Sequence, residues 1–238
     1  MNNEEFLRVL ERSFAEFIRT GTSRSTVKLV PLHGAIAADM AERFGPGYKV
    51  MSQGFAEGKE GTMHGRYIAK KVDITILNGE RALCGIAVKF VMQNYAQNSN
   101  NYFENMMGET ANIRASRRPY FQLLAIPDRL PYYDRNGMIK HWEVLSPGQL
   151  HKYRVLDADN PDVVFHSPNK TLIYILHLPE IGEVTNREEY RSAYERIIEA
   201  HPHGGYLSTK SVDPFANSVI LNDYEKFADK VYHSVLAQ

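Results

Sequence analysis

The sequence predicts a mixed α/β fold, a central mixed β-sheet flanked by helices, and three observations carry that expectation. Apolar residues recur at helical spacing in the first 20 positions. Two β-branched runs flank Asn78-Gly79 in the segment Val72 to Phe90. Between residues 31 and 126 the segments alternate as helix, three strands, helix and strand.

Taken in order, Phe6, Leu7, Leu10, Phe14, Phe17 and Ile18 form one helical stripe, giving a first helix over about residues 3 to 20. Gly21 and the polar run Thr22 to Thr26 end it. A second helix covers Pro31 to Phe44, with proline near its start and Gly45-Pro46-Gly47 as a stop. Tyr48 to Ser52 reads as a strand, and the glycine-rich connection Gly54 to Gly65 as mobile or ligand-facing. Arg66 to Leu77 and Ala82 to Met92 are the arms of a hairpin, because Asn-Gly takes the positive φ angles of a tight turn at little cost. A connection from Asn78 to Arg81 sets Asp73 opposite Ile86. Side chains alternate across a sheet, so Cys84, Ile86, Val88 and Phe90 share an apolar face, while Gly85, Ala87 and Lys89 share the other. A helix follows over about Asn101 to Ser116, then a strand from Tyr120 to Ile126 closed by Pro127. The remainder offers a polar, aromatic stretch (Pro131 to Asn169), a strand (Leu172 to Leu178), a charged helix (Arg187 to Ala200) and a terminal helix (Asp223 to Leu236).

With 238 residues, 43% of them hydrophobic, the chain is long enough for one sizeable core, and a single domain over residues 1 to 238 is expected. Lys+Arg 28 against Asp+Glu 28 leaves no net charge, so a nucleic-acid partner would be held by a local patch. The single cysteine, Cys84, excludes an internal disulfide framework and fits a buried small hydrophobe in a reducing compartment. The first residues contain acids and begin an amphipathic helix, unlike a signal sequence, and no apolar run reaches membrane-spanning length. A cytoplasmic location with no membrane partner is the corresponding expectation.

An acid (Asp73), a lysine within an apolar strand (Lys89) and further acids on the next helix (Glu104, Glu109) are the residue types a metal-dependent phosphodiesterase needs. Phosphodiester hydrolysis requires charge neutralisation at phosphorus, an activated water and a stabilised leaving oxygen. Carboxylates holding Mg²⁺ supply most of this. The order of elements, Asp73 opening one strand, Gly85-Ile86-Ala87-Val88-Lys89-Phe90 in the next, and the helix Asn100 to Arg114 resemble the PD-(D/E)XK nuclease core of type II restriction endonucleases. The resemblance covers roughly residues 30 to 130. It leaves 131 to 238 as DNA-recognition or dimerisation elements. It departs from the family at Ala87, where the usual residue is acidic. Some similar enzymes take that second carboxylate from the following helix, which transfers the role to Glu104 or Glu109.

The resemblance implies a Mg²⁺-dependent, site-specific endonuclease acting on double-stranded DNA as a homodimer. It makes Asp73 the bridging metal ligand, a helix glutamate the second ligand, the Val88 carbonyl a further one, and Lys89 the cation that orients or deprotonates the attacking water. Alternatives are a nuclease-fold DNA-binding protein without catalysis, motivated by Ala87, and an unrelated hydrolase. In these Asp73 pairs structurally with Lys70, Lys71 or Lys89, and Lys89 guards a sheet edge. Glu104 sits at the third helical position if Asn101 is the N-cap, so it also fits a capping arrangement. Its neighbours Met107, Gly108 and Ala111 favour a sheet-facing role over Glu109, which points about 140° away.

Arg114, Arg117 and Arg118 could grip phosphates or simply favour a helix C-terminus. Asn94 and Asn98, in an amide-rich tract, could read adenine edges or cap the backbone. Arg135 and Lys140 belong to a stretch, Tyr132 to Trp142, that interleaves bases and aromatics like a groove-facing module. Asp39 and Glu42, and likewise Glu57 and Glu60, read as outer carboxylates or as solvated charge. The nine histidines show no zinc-ligand spacing with cysteine and read as surface or core residues. Tyr224, Phe227, Val231 and Val235 on the terminal helix offer a dimer contact stripe.

Overall fold

The computed structural model describes residues 1–21, 27–211 and 218–237. Helix α1 (Asn3–Thr20) starts in a capping box, with the Asn2 side chain accepting from the Glu5 N–H and the Glu5 carboxylate returning to the Asn2 N–H. Gly21 ends it in the left-handed region; the polar run 22 to 26 lies outside the described residues. A 3-10 turn (Val27–Leu29) leads into α2 (Val30–Phe44), which has proline in its first turn.

After strand β1 (Lys49–Ser52), the expected glycine-rich connection holds β2 (Gly61–His64), which pairs antiparallel with β3 (Ala69–Val72) from the expected first hairpin arm. The first hairpin arm is therefore split. β3 belongs to the small sheet, and β4 (Ile74–Asn78) to the central one, with Asp73 at the junction.

β4 pairs with β5 (Arg81–Phe90) through the expected turn, where Gly79 has φ 58. The expected register slips by one. Leu77 pairs with Ala82 but Ile76 with Cys84, so Leu83 is an extra residue on β5 and Ile74 lies opposite Ile86. One step further puts Asp73 opposite Ala87 in place of Ile86. The bulge thereby moves Asp73 from the apolar face of β5 to the face carrying Lys89.

Helix α3 spans Tyr95–Arg114 and begins six residues before its expected start. Asn94 precedes it with φ 50 and no side-chain cap. Its first N–H groups are satisfied from a distance, since the Glu143 carboxylate accepts from the N–H groups of Tyr95 and Ala96. Next come β6 (Tyr120–Pro127), the hairpin β7 (Arg129–Tyr133) with β8 (Ile139–Val144), α4 (Pro147–Ala158), β9 (Lys170–His177), α5 (Arg187–Ala200), the short strands β10 (Ser208–Thr209) and β11 (Ile220–Leu221), and α6 (Tyr224–Leu236).

The central mixed sheet runs β1-β4-β5-β6-β9-β10, and β11 also pairs with β9. The β1-β4-β5 portion is antiparallel, whereas β5-β6-β9 is parallel. Both faces are covered, which explains the uninterrupted burial of β6 and the near-continuous burial of β9. On one face, Cys84, Ile86 and Val88 pack with Phe121, Leu123, Leu172 and Tyr174 against α1, α2, α5 and α6. On the other, Leu124, Ile126, Ile173 and Ile175 pack with Tyr95 and Met106 of α3 and Leu150 and Tyr153 of α4.

The α6 stripe is not a dimer contact. Tyr224, Phe227 and Val231 are fully buried in the first core, and burying a chain's aromatic stripe is how a terminal helix is held down. No helix among the described residues is long and apolar enough to cross a membrane.

Candidate active-site cleft

A cleft of about 300 Å³ opens between β5, the β3–β4 junction and α3. Its walls include Asp73, Ala87, Val88 and Lys89 together with Tyr102, Asn105, Met106 and Glu109 of α3. The four α3 residues stand at relative positions 0, +3, +4 and +7, one helical face. Lys89 pairs with Leu124 across the β5–β6 ladder and so faces α3; its ammonium lies 4.9 Å from the centre of the Tyr102 ring. The lysine is solvent-accessible from the cleft.

Asp73 is fixed at its base. Its backbone carbonyl accepts from the Ser52 hydroxyl at 2.6 Å, and its Oδ2 accepts from the Val88 N–H at 2.7 Å. The N–H and C=O of one strand residue point to the same side, so the Val88 carbonyl is directed toward Asp73 as well. Burial pushes the Asp73 carboxyl up to about 6, opposed by the Val88 hydrogen bond and reinforced by the charge of Glu109.

Glu109 is bound to the Lys70 ammonium at 2.5 Å and accepts from the Tyr120 hydroxyl at 3.4 Å. Burial and the nearby carboxylates raise the Tyr120 hydroxyl well above its ordinary value, so it remains a donor to Glu109. Lys28, in the 3-10 turn, is brought down to about 8 by burial and by the charge of Lys89, and its chain neighbour Leu29 lines the cleft. Lys70 and Lys71 complete a cationic wall around the two acids.

Of the two helix acids, the cleft takes Glu109 and leaves out Glu104. Glu104 is exposed, with the Lys152 ammonium as its charged neighbour. The expectation failed because α3 buries Met106, Thr110 and Ile113, while Gly108 is exposed with open space where a side chain would be. A stripe centred on 106, 109 and 113 faces the sheet, and 104 is turned outward.

The proposed DNA contacts separate into tethered and open residues. Asn94 holds β7 to α3, accepting from the Tyr133 N–H and donating to the Tyr133 carbonyl, and Asn98 donates to the Asn94 carbonyl. Arg114 is buried and donates to Asn169 and to the Pro161 carbonyl, so it ties α3 to the loop before β9 and does not reach a phosphate. Arg118 donates to the His64 carbonyl. Arg117, Arg135 and Lys140 are exposed. Asp39 is structural, bound to the N-terminal ammonium, Arg43 and the Tyr224 hydroxyl.

Two further residues lie at Asp73, one of them, Glu60, read from the sequence as an outer carboxylate or solvated charge, the other, His33, only as a surface or core histidine. His33 of α2 and Glu60, just before β2, bring ligand atoms within 4.8 Å of one another and of the Asp73 carboxylate. Glu60 carries a readable signal, because Gly61 pairs with Val72 and the next step of that ladder faces Glu60 with Asp73. His33 carries none.

The residues present suit a divalent cation. Asp73 and Glu109 turn like charges toward one cleft, and the charge of Glu109 raises the cost of ionising Asp73, a repulsion that a dication relieves. The Lys70 ammonium pairs with Glu109 and offsets its charge. Comparison with protein-family models, with curated proteins and with solved structures finds no match.

Proposed function

We propose that this cleft hydrolyses phosphodiester bonds of double-stranded DNA with Mg²⁺, in the manner of a cytoplasmic type II site-specific endonuclease of the PD-(D/E)XK kind. The observation that carries the reading is the convergence of Asp73, Glu109 and Lys89, from a strand junction, a helix and a neighbouring strand, on one accessible cleft. Asp73, Glu109 and the Val88 carbonyl would hold the ion. When bound, it supplies charge neutralisation at the phosphate and at the leaving oxygen.

The protein's own groups do the positioning. Lys89 presents an ammonium to the cleft, where it orients the attacking water and the scissile phosphate. Lys70 and Lys71 add to Lys89 the local positive field that a chain of zero net charge otherwise lacks. Tyr120 holds Glu109 from behind. Cutting both strands of a two-fold symmetric duplex calls for two such clefts, which a C2 homodimer provides.

Incubation of the purified protein with plasmid or phage DNA and Mg²⁺ tests this. Discrete fragments are expected, and Lys89→Ala is expected to abolish cutting while retaining DNA. Equal cutting by the Lys89→Ala protein removes the lysine from the mechanism, and no cutting of any DNA removes the activity. Ala87 in the cleft wall, where similar nucleases carry an acid, favours one other reading, a DNA-binding protein without catalysis. Retention of DNA by the wild-type protein without fragments is its signature.

A further inference from the structure

Asp73 has a second set of neighbours. His33 projects from the first turns of α2, Glu60 precedes β2, and their ligand atoms lie with that of Asp73 within 4.8 Å of one another. His33 is 2% exposed, and neither ring nitrogen makes a hydrogen bond among the described residues. A buried imidazole without a partner is costly, because its N–H and its lone pair both forgo water.

The surroundings of the ring are built, not incidental. The Gln53 amide donates to Glu60 at 3.0 Å and fixes that carboxylate. A side chain at Gly34 would meet the Gly54 carbonyl at 2.6 Å, and one at Gly54, whose φ is +75, would meet the Val30 carbonyl at 2.5 Å. Two glycines thus let the loop after β1 press onto the start of α2, which sets Glu60 and His33 side by side. Burial lowers the His33 pKa to about 4, leaving the ring neutral at physiological pH with a lone pair to donate; the charge of Glu60 opposes this.

We propose that His33, Glu60 and Asp73 form a binding site for a first-row transition dication, of the Mn²⁺ or Zn²⁺ class. One imidazole nitrogen with two carboxylate oxygens suits these borderline ions, whereas Mg²⁺ keeps to oxygen ligands. Ligands bonded to such an ion at about 2.0–2.2 Å stand roughly 3–4 Å apart, so a small contraction of the present triangle closes it. Three protein ligands leave coordination positions open to water or to a phosphate oxygen. The site shares Asp73 with the cleft of the proposed nuclease, but it stands or falls independently of any reaction there.

The test is Mn²⁺ binding to the full-length protein, followed by electron paramagnetic resonance, with pulsed detection of nitrogen coupling and Zn²⁺ titration calorimetry in parallel. The wild-type protein is expected to bind Mn²⁺ with imidazole nitrogen coupling, and His33→Ala to lose the coupling and weaken binding about tenfold or more. Bound Mn²⁺ without nitrogen coupling in the wild-type protein overturns the proposal, and that measurement needs no variant to fold. Equal binding by His33→Ala, or failure to bind either ion, overturns it as well.

Discussion

Replacing Asp73 with asparagine should stabilise the protein in neutral and alkaline solution while destroying its proposed function. Asparagine is nearly isosteric, and its carbonyl oxygen still accepts from the Val88 N–H. What changes is the charge. A carboxyl whose folded pKa lies above its unfolded value holds its proton more tightly in the native state, so ionisation works against the fold. For Asp73 that penalty is absent below about pH 3.8, grows between 3.8 and about 6, and is complete above. The interval corresponds to roughly 3 kcal/mol at most; solvent entering the cleft mouth reduces it, so about 1–3 kcal/mol is expected. In a chain of this size that is a rise in Tm of roughly 2–10 °C. Urea denaturation of both proteins in chelator, at pH 8 and again near pH 4, measures it. The variant should be the more stable at pH 8, and the difference should close near pH 4. Adding Mg²⁺ or Mn²⁺ at pH 8 should also narrow it, because the ion stabilises the wild-type fold. An Asp73→Asn protein less stable than wild type at pH 8, or a difference independent of pH, would refute the reasoning.

Further outcomes follow from the same geometry. Glu109→Gln should lower the rate of DNA cleavage on the order of 100-fold or more, and Glu104→Ala should stay within about twofold, in parallel single-turnover assays; the reverse ranking would restore the outward acid. Lys70→Ala removes the ammonium that occupies Glu109, so the Mg²⁺ concentration giving half-maximal cleavage should fall several-fold, whereas an unchanged or raised requirement would show that the pair does not compete with the ion. The Asn112 side chain accepts from the N–H groups of Tyr67 and Ile68 and donates to the Ile68 carbonyl, pinning the β2–β3 turn to α3. Asn112→Ala strips partners from that turn and should cost about 2–4 kcal/mol in urea denaturation, with faster amide exchange at Tyr67 and Ile68; a loss below about 0.5 kcal/mol would contradict the assignment.

The hairpin was legible because Asn78-Gly79 and its flanking runs are local signals, and β6 and β9 were legible because strands covered on both faces read as continuous apolar runs. The bulge was not. Ala82, Leu83 and Cys84 are acceptable on either face, so nothing local marks Leu83 as the extra residue, yet its insertion decides which side of the sheet Asp73 occupies. The early start of α3 was hidden for a tertiary reason. The tract 94 to 101 is rich in asparagine, a poor helix former, and the acid that satisfies the first turn, Glu143, lies far along the chain. Glu104 is favoured over Glu109 from the sequence because Met107, Gly108 and Ala111 suggest a sheet-facing stripe, whereas the stripe that is buried carries Met106, Thr110 and Ile113. His33 was missed because the group around it draws on α2, the loop before β2 and the β3–β4 junction, and no spacing connects three such distant segments.

The claim on which the account rests is that Asp73, Glu109 and Lys89 act together on a phosphodiester. The most direct measurement is single-turnover cleavage of plasmid DNA in Mg²⁺ by the wild-type protein and by folded Asp73→Asn, Glu109→Gln and Lys89→Ala proteins. The account predicts discrete products from the wild type and at least about 100-fold slower cutting by each variant, with DNA retention preserved in Lys89→Ala. Cutting at the wild-type rate by any of the three, or none by the wild-type protein, would contradict it.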